Sequence, residues 1–295
     1  MSIYQETLHR LQPLQPLPTS LHPRIRAFPA CKGMMFDIYG TLLISASGDI
    51  GNQNMGVEAM EQALRPLSSL ASPIDPQCAL TRYKHHIEQA HANLKKCGVT
   101  YPEIDILEIW RNLLAEFKAG TDLGTLSQHE VRRTAFAFEC HINPVWPMPH
   151  FQQTLQRLLE SDTYLGIISN AQFYTPILVN FFLGHPEDDS DQIKGFEPNL
   201  IYFSWQLSRA KPDLEAFSQA VKHFAKLDIQ PSEVLFIGND LLNDVYPAHH
   251  VGMKTCLFAG DQRSLRLRQG HKMVQGIEPD FVIDDLQQLL DIVLS

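Results

Sequence analysis

An aspartate at the end of an apolar run is the first feature of this sequence that could carry chemistry. The stretch MMFDIYGTLL, residues 34–43, places three apolar residues before Asp37 and a Tyr-Gly-Thr turn after it. Reactions that need an ionised carboxylate, such as nucleophilic attack, suit a side chain in that position. Gly40 permits the tight turn that would lift the carboxylate out of a sheet, and Thr41 can hydrogen-bond near it. Residues 34–43 therefore predict a reactive carboxylate at a strand end.

Polar residues also follow later apolar runs of the chain. Ligands collect at the carboxyl ends of the strands in an open α/β sheet, so residues at those ends are candidates for one site. Each motif alone has a simpler explanation as a helix cap, a helix start or a turn. Their order along one sheet makes the combination informative. The candidates are Ser169, Asn170, Lys211, Asp240 and Asp244.

Short apolar runs that alternate with amphipathic helical patterns position these residues. Runs without polar alternation are typical of strands covered on both faces in a parallel sheet. Alternation of strands and helices predicts an α/β fold with a doubly wound, Rossmann-like parallel sheet. The predicted strands are 33–37, 164–168, 200–203, 233–237, 254–258 and 281–283.

The remaining segments divide the chain around this core. Residues 1–31 contain five prolines, at 13, 16, 18, 23 and 29, and predict an extended N-terminal arm. Residues 49–145 carry helical stripes without a convincing strand and predict a helical insertion. The core is then residues 32–48 and 146–295.

Composition limits the classes of function. A net charge of −9 and a pI of about 5.8 disfavour general nucleic-acid binding, whereas a local site can still attract a small anionic substrate. No apolar run is long enough to span a membrane, and no signal-peptide pattern begins the chain, which predicts a cytoplasmic location. The five scattered cysteines predict reduced structural thiols. Homodimer formation is left open.

In these motifs the sequence resembles the haloacid dehalogenase (HAD) superfamily of hydrolases. The motifs are FDIYGTL, IISN, KPD and IGNDLLND, spread over residues 32–258. The insertion resembles the helical cap that this superfamily places after the first motif.

The resemblance implies a role for each candidate. Asp37 would be the nucleophile, and Ser169 and Asn170 would bind the transferring or leaving group. Lys211 would supply the positive charge that lets Asp37 and a substrate anion share a small space. Asp240 and Asp244 would complete a Mg²⁺ site with Asp37 and the main-chain carbonyl of Tyr39.

Two positions depart from the superfamily's phosphatase pattern. Tyr39 stands where the phosphatases carry a second aspartate as general acid and base, so it is either a weak proton donor or a packing residue. A tyrosine there resembles the 2-haloacid dehalogenases, and Arg82 in ALTR resembles their carboxylate-binding arginine segment. Asn239 stands where an aspartate usually follows the glycine, so Asn239 or Asp240 would be the metal ligand.

These departures leave three functions open. An acid-poor, metal-equipped site favours Mg²⁺-dependent hydrolysis of a small phosphorylated metabolite. The alternatives are a metal-independent 2-haloacid dehalogenase and a non-catalytic protein that binds phosphorylated metabolites.

Overall fold

Strands and helices alternate along most of the protein, whose computed structural model describes residues 4–46, 56–67, 74–118, 127–186 and 190–294. Helices within these ranges are too short or too polar to cross a membrane. The strands are β1 (Gly33–Phe36), β2 (Leu43–Ser45), β3 (Val145–Pro147), β4 (Tyr164–Ser169), β5 (Ile201–Phe203), β6 (Val234–Gly238), β7 (Lys254–Phe258) and β8 (Phe281–Ile283). The α-helices are α1 (Gln5–Leu8), α2 (Val57–Leu64), α3 (Pro76–Lys96), α4 (Ile106–Lys118), α5 (Gln128–Ile142), α6 (Phe151–Leu159), α7 (Thr175–Phe182), α8 (Ser204–Leu207), α9 (Glu215–Lys226), α10 (Tyr246–His250) and α11 (Gln288–Val293).

Six of the strands form one parallel sheet in the order β5-β4-β1-β6-β7-β8. The predicted doubly wound fold is confirmed, and every predicted strand lies within one residue of its observed limits. Strand β1 is central, and Phe36 pairs with Ile167 on one side and Ile237 on the other. Strands β1, β4 and β6 therefore end close together at one edge of the sheet.

Apolar stripes hold the flanking helices on the sheet. In α9, Phe217, Ala220 and Phe224 recur at the spacing of one helix face and are buried. The Phe217 ring lies 5.0 Å from that of Phe236 in β6. This packing covers one face of the sheet next to the strand that ends in the fourth motif.

A small antiparallel pair, β2 with β3, joins the places where the chain leaves and re-enters the core. Helices α2 to α5 lie between these two strands in sequence. They enclose a buried aromatic cluster in which Trp110 lies 5.2 Å from Tyr83 and 5.3 Å from Phe138. The insertion is thus helical, with α5 as a helix that the apolar stripes did not predict. The predicted boundary between residues 48 and 49 lies outside the described residues, and the division into domains stays a prediction.

The N-terminal arm lies across both parts of the protein. The Tyr4 ring, beside α1, packs 4.7 Å from the Phe136 ring of α5. The chain then runs extended, and Arg24 forms an antiparallel bridge with Val282 of β8. An extended arm agrees with its prolines, which restrict φ and remove backbone donors.

Candidate active site

The carboxylate of Asp37 lies at the sheet edge where β1, β4 and β6 end. Ser169, the last residue of β4, donates a hydrogen bond from Oγ to Asp37 Oδ1 at 2.8 Å. Lys211 Nζ donates to the same oxygen at 2.7 Å. All three side chains are more than nine-tenths buried. Two donors on Oδ1 fix the carboxylate, while Oδ2 accepts neither of these bonds.

Asn170 positions Lys211. Its Oδ1 accepts a hydrogen bond from the Lys211 backbone N–H at 2.7 Å, and its Nδ2 donates to the Lys211 carbonyl at 3.4 Å. The prediction assigned this amide to the substrate. In the structure both of its polar atoms contact the main chain of Lys211, so Asn170 acts on the site through the lysine.

Lys211 also pairs with a second buried carboxylate. Its Nζ lies 2.5 Å from Asp244 Oδ1, and Asp244 Oδ2 accepts the backbone N–H of Asp240 at 2.9 Å. Burial lowers the pKa of Lys211, but Asp244 and Asp37 outweigh that effect and the net pKa is raised. Burial, with added repulsion from Asp37 and Asp240, raises the pKa of Asp244 to about 7 although Lys211 opposes the shift. The ammonium therefore balances two crowded carboxylates.

The carboxylate of Asp240 is already surrounded by donors. Its Oδ1 caps the turn that follows β6 by accepting the N–H groups of Leu242 and Asn243 at 2.8 and 3.3 Å. Arg268 donates to both oxygens, from Nε at 3.1 Å to each and from a terminal nitrogen to Oδ2 at 2.5 Å. Asn243 Nδ2 donates to Oδ2 at 3.0 Å. Sequence reasoning missed Arg268 entirely.

This arrangement does not fit the predicted Mg²⁺ site. A hard cation needs carboxylate oxygens that can turn towards it, but the oxygens of Asp240 face a guanidinium and those of Asp244 face Lys211 and a backbone N–H. Among the described residues, no three His, Cys, Asp or Glu side chains are grouped as metal ligands would be. The predicted metal ligands lie near one another, but cationic side chains already neutralise them.

Thr41 and Asn239 connect the first motif to the fourth. Thr41 Oγ1 donates to Asn239 Oδ1 at 3.0 Å, and Asn239 Nδ2 donates to the carbonyl of Ser264 at 2.5 Å. The amide oxygen that could have been a weak metal ligand is thus held by Thr41. Gly40 has a φ of +83°, and a Cβ there would lie 2.5 Å from that of Ser264, so the turn requires glycine.

The phenol of Tyr39 lies beside the site. Its hydroxyl is 2.8 Å from Thr175 Oγ1. Burial raises the pKa of Tyr39 far above its usual value, although the hydrogen bond with Thr175 opposes the shift. Cys140, Glu139 and Asp37 add smaller increases. A phenol with a raised pKa is a weaker acid, so of the two predicted roles the geometry favours packing over proton donation.

Arg82 lies elsewhere. It is half-exposed on α3, pairs with Glu116 at 2.8 Å, and its guanidinium carbon lies 5.2 Å from the centre of the Phe117 ring. It does not line the cleft that contains Asp37. The structure does not bring Arg82 to this cleft, and its role in substrate binding stays a prediction.

The cleft has two arginines that the motifs did not indicate. A basic segment, DQRSLRLRQ at residues 261–269, was the available signal in an otherwise acidic chain. It brings Arg266 and Arg268 to the cleft beside Lys211. The residues that line the cleft are Asp37, Tyr39, Ser45, Asn170, Lys211, Asn239, Asp240, Asn243, Asp244, Ser264, Arg266 and Arg268.

Comparisons with known proteins agree with this architecture. The profile of the family described as HAD-hydrolase-like matches residues 208–289. Pyrophosphatase PpaX from Oceanobacillus iheyensis is 24% identical over 182 residues, which are 62% of this chain and 73% of that protein. Phosphoglycolate phosphatase from Vibrio vulnificus is 30% identical over 154 residues, which are 50% of this chain and 56% of that protein. The chain thus spans little more than half the length of the second relative.

A solved structure shares the fold over nearly the whole chain. The crystal structure of 2-haloacid dehalogenase from Pseudomonas syringae pv. Tomato DC3000 aligns with a TM-score of 0.54 at 19% identity, covering 88% of this chain and 97% of the other. At that identity the match speaks for the fold and leaves the reaction open. Together the family profile over residues 208–289, the relatives and the shared fold make this chain similar to hydrolases of the haloacid dehalogenase superfamily.

Proposed function

We propose that the protein hydrolyses a small phosphorylated compound, with Asp37 as the nucleophile. The observation that carries the proposal is the position of the Asp37 carboxylate, whose Oδ1 is held by Ser169 and Lys211 inside a cleft. Lys211, Arg266 and Arg268 line the same cleft and suit a substrate anion. The relatives, a pyrophosphatase and a phosphoglycolate phosphatase, support a phosphate substrate.

The reaction would proceed in two displacements. An oxygen of Asp37 attacks phosphorus, the bond from phosphorus to the leaving oxygen breaks, and an acyl phosphate forms. Water then attacks phosphorus, the bond to Asp37 breaks, and inorganic phosphate leaves with the carboxylate restored. Lys211 places a positive charge beside the Asp37 carboxylate and, with Ser169, fixes its orientation.

The cleft favours leaving groups that need little protonation. A general acid supplies about 10² to 10⁴ in rate, and Tyr39 is poorly suited to provide it because burial raises its pKa and its hydroxyl is bonded to Thr175. Acyl phosphates and pyrophosphates release an already stable anion. We therefore propose an activated phosphate as the substrate class. The predicted Mg²⁺ dependence has no place in this mechanism, because Asp240 and Asp244 are committed to cationic side chains.

A second candidate is hydrolysis of a 2-haloacid. The specific observation in its favour is again Tyr39, since a halide leaves without an acid. The position of Arg82 outside the cleft argues against it, because Arg82 was the predicted carboxylate-binding residue.

Turnover assays separate the candidates. Acetyl phosphate, pyrophosphate and 2-chloropropionate are offered to the wild type, to Asp37→Asn and to Tyr39→Phe, each with EDTA and with added Mg²⁺. We expect phosphate release by the wild type, a loss of at least a thousandfold in Asp37→Asn, and near-normal rates in Tyr39→Phe. Chloride release without phosphate release would favour the haloacid reaction. A folded protein with no turnover of any of the three would favour the non-catalytic binding role.

A further inference from the structure

The segment of residues 261–268, here named the arginine loop, lies directly over the fourth motif. Its backbone pairs with that motif: Arg266 N–H donates to the Asn239 carbonyl, and Leu241 N–H donates to the Arg266 carbonyl, both at 2.9 Å. On its other side the N-terminal arm holds the loop, since Leu17 N–H donates to the Asp261 carboxylate at 2.9 Å. The arm and the fourth motif therefore fix where the arginine side chains lie.

Arg268 forms a two-point ion pair with the carboxylate of Asp240. Its guanidinium donates hydrogen bonds to both carboxylate oxygens. The Asp240 and Arg268 side chains are 8% and 31% exposed. A planar guanidinium that meets both oxygens of a carboxylate forms a stronger and more directional pair than a lysine would. The pair also lies in the cleft that contains Asp37, so the charge of Arg268 acts on the site.

We propose that Arg268 is a tethered cation that takes the place of a divalent metal ion at Asp240. The inference rests on the proposed function only in taking this cleft as the active site. It concerns ion binding and can be tested without turnover. A divalent ion can use Asp240 only after Arg268 has left it. Arg268 therefore competes with metal ions, and the folded protein binds Mg²⁺ or Mn²⁺ weakly.

Arg266 offers a matched control. It lines the same cleft and carries the same charge, but its guanidinium donates to the carbonyls of Arg263 and Leu265 at 2.6 and 3.2 Å. Removing it lowers the positive potential of the cleft without exposing the carboxylate of Asp240. The difference between the two arginine variants thus isolates direct competition from general electrostatics.

The test is a titration of the full-length protein with Mn²⁺ alone, with free ion followed by electron paramagnetic resonance and Mg²⁺ added as a competitor. A charge-assisted pair of this kind makes us expect a gain of about ten- to a hundredfold in Mn²⁺ affinity in Arg268→Ala. Arg266→Ala should gain several-fold at most, and adding Asp240→Asn to Arg268→Ala should abolish the gain.

Two results would overturn the proposal. One is equal Mn²⁺ affinity in the wild type and Arg268→Ala, and the other is an equal gain in the two arginine variants. If circular dichroism shows that Arg268→Ala does not fold, Arg268→Lys replaces it in the test. Lysine keeps the positive charge but cannot donate to both carboxylate oxygens as a guanidinium does, so a several-fold gain in Mn²⁺ affinity is then the expected result. Because no substrate is used, failure here is distinct from failure of the phosphatase assays.

Discussion

Replacing Lys211 with methionine tests the central electrostatic argument, because this lysine is the direct cationic partner of Asp37. Its Nζ lies 2.7 Å from Asp37 Oδ1 and 2.5 Å from Asp244 Oδ1. At an effective dielectric constant of about 20 each attraction is about 6 kcal/mol before the cost of desolvation. Breaking such a buried pair leaves uncompensated charge and typically costs about 3–5 kcal/mol. We expect the free energy of unfolding of Lys211→Met to fall by that amount at pH 8.

The loss should depend on pH. Without the ammonium, the buried carboxylates of Asp37 and Asp244 repel each other, and protonation relieves that repulsion. A carboxyl whose folded-state pKa is raised contributes stability that grows as the pH falls. Urea denaturation at pH 8 and pH 5 should therefore show a smaller deficit at pH 5. Adding Asp244→Asn should restore part of the stability at pH 8 without restoring activity.

An exposed ion pair provides the control for this experiment. Arg209 lies 3.1 Å from Asp213, four residues along the chain, and its side chain is 42% exposed. Arg209→Met should cost less than about 1 kcal/mol, as surface pairs do. If Lys211→Met is as stable as the wild type at both pH values, the argument that two crowded carboxylates depend on this ammonium is refuted.

Two further predictions concern stability. Gly40→Ala should lower the free energy of unfolding by about 2–4 kcal/mol, because it adds left-handed strain at a φ of +83° and a clash with Ser264, as chemical denaturation would measure. Glu139, buried between cap helices and core, has its pKa raised by burial from 4.5 to about 7. As the pH rises from 4.5 through 7, the free energy of unfolding of the wild type should therefore fall by about 3 kcal/mol relative to that of Glu139→Gln. Thermal or urea unfolding would measure this difference.

The same protein provides a control for each of the Gly40 and Glu139 predictions. Gly98 has the same backbone conformation, with a φ of +84°, but a Cβ there would contact nothing within 4 Å. Gly98→Ala should thus cost only the strain, about 1–2 kcal/mol, and an equal loss at Gly40 would contradict the proposed clash. For Glu139, parallel pH profiles of wild type and Glu139→Gln would show that this carboxyl does not take up a proton on folding.

The sequence was most informative where short-range rules apply. Continuous apolar runs identified all six strands of the parallel sheet, because strands covered on both faces need apolar side chains at every position. It missed the pair β2–β3, and none of the apolar stripes that it recognised covers α5, the fourth helix of the insertion. Strands of three residues and a helix with a weak apolar stripe carry too little periodic signal.

For the site, the sequence alone determined which strand ends carry polar residues and that Asp37 precedes a turn that needs glycine. Only the tertiary structure decided the partners. Asn170 hydrogen-bonds to the backbone of Lys211, and Arg82 lies away from the cleft. Arg268 pairs with the carboxylate of Asp240, which the motif alone assigned to a metal ion. The physical reason is distance along the chain: Asp240 and Arg268 are 28 residues apart, and no local pattern reports which side chains a fold brings within hydrogen-bonding reach.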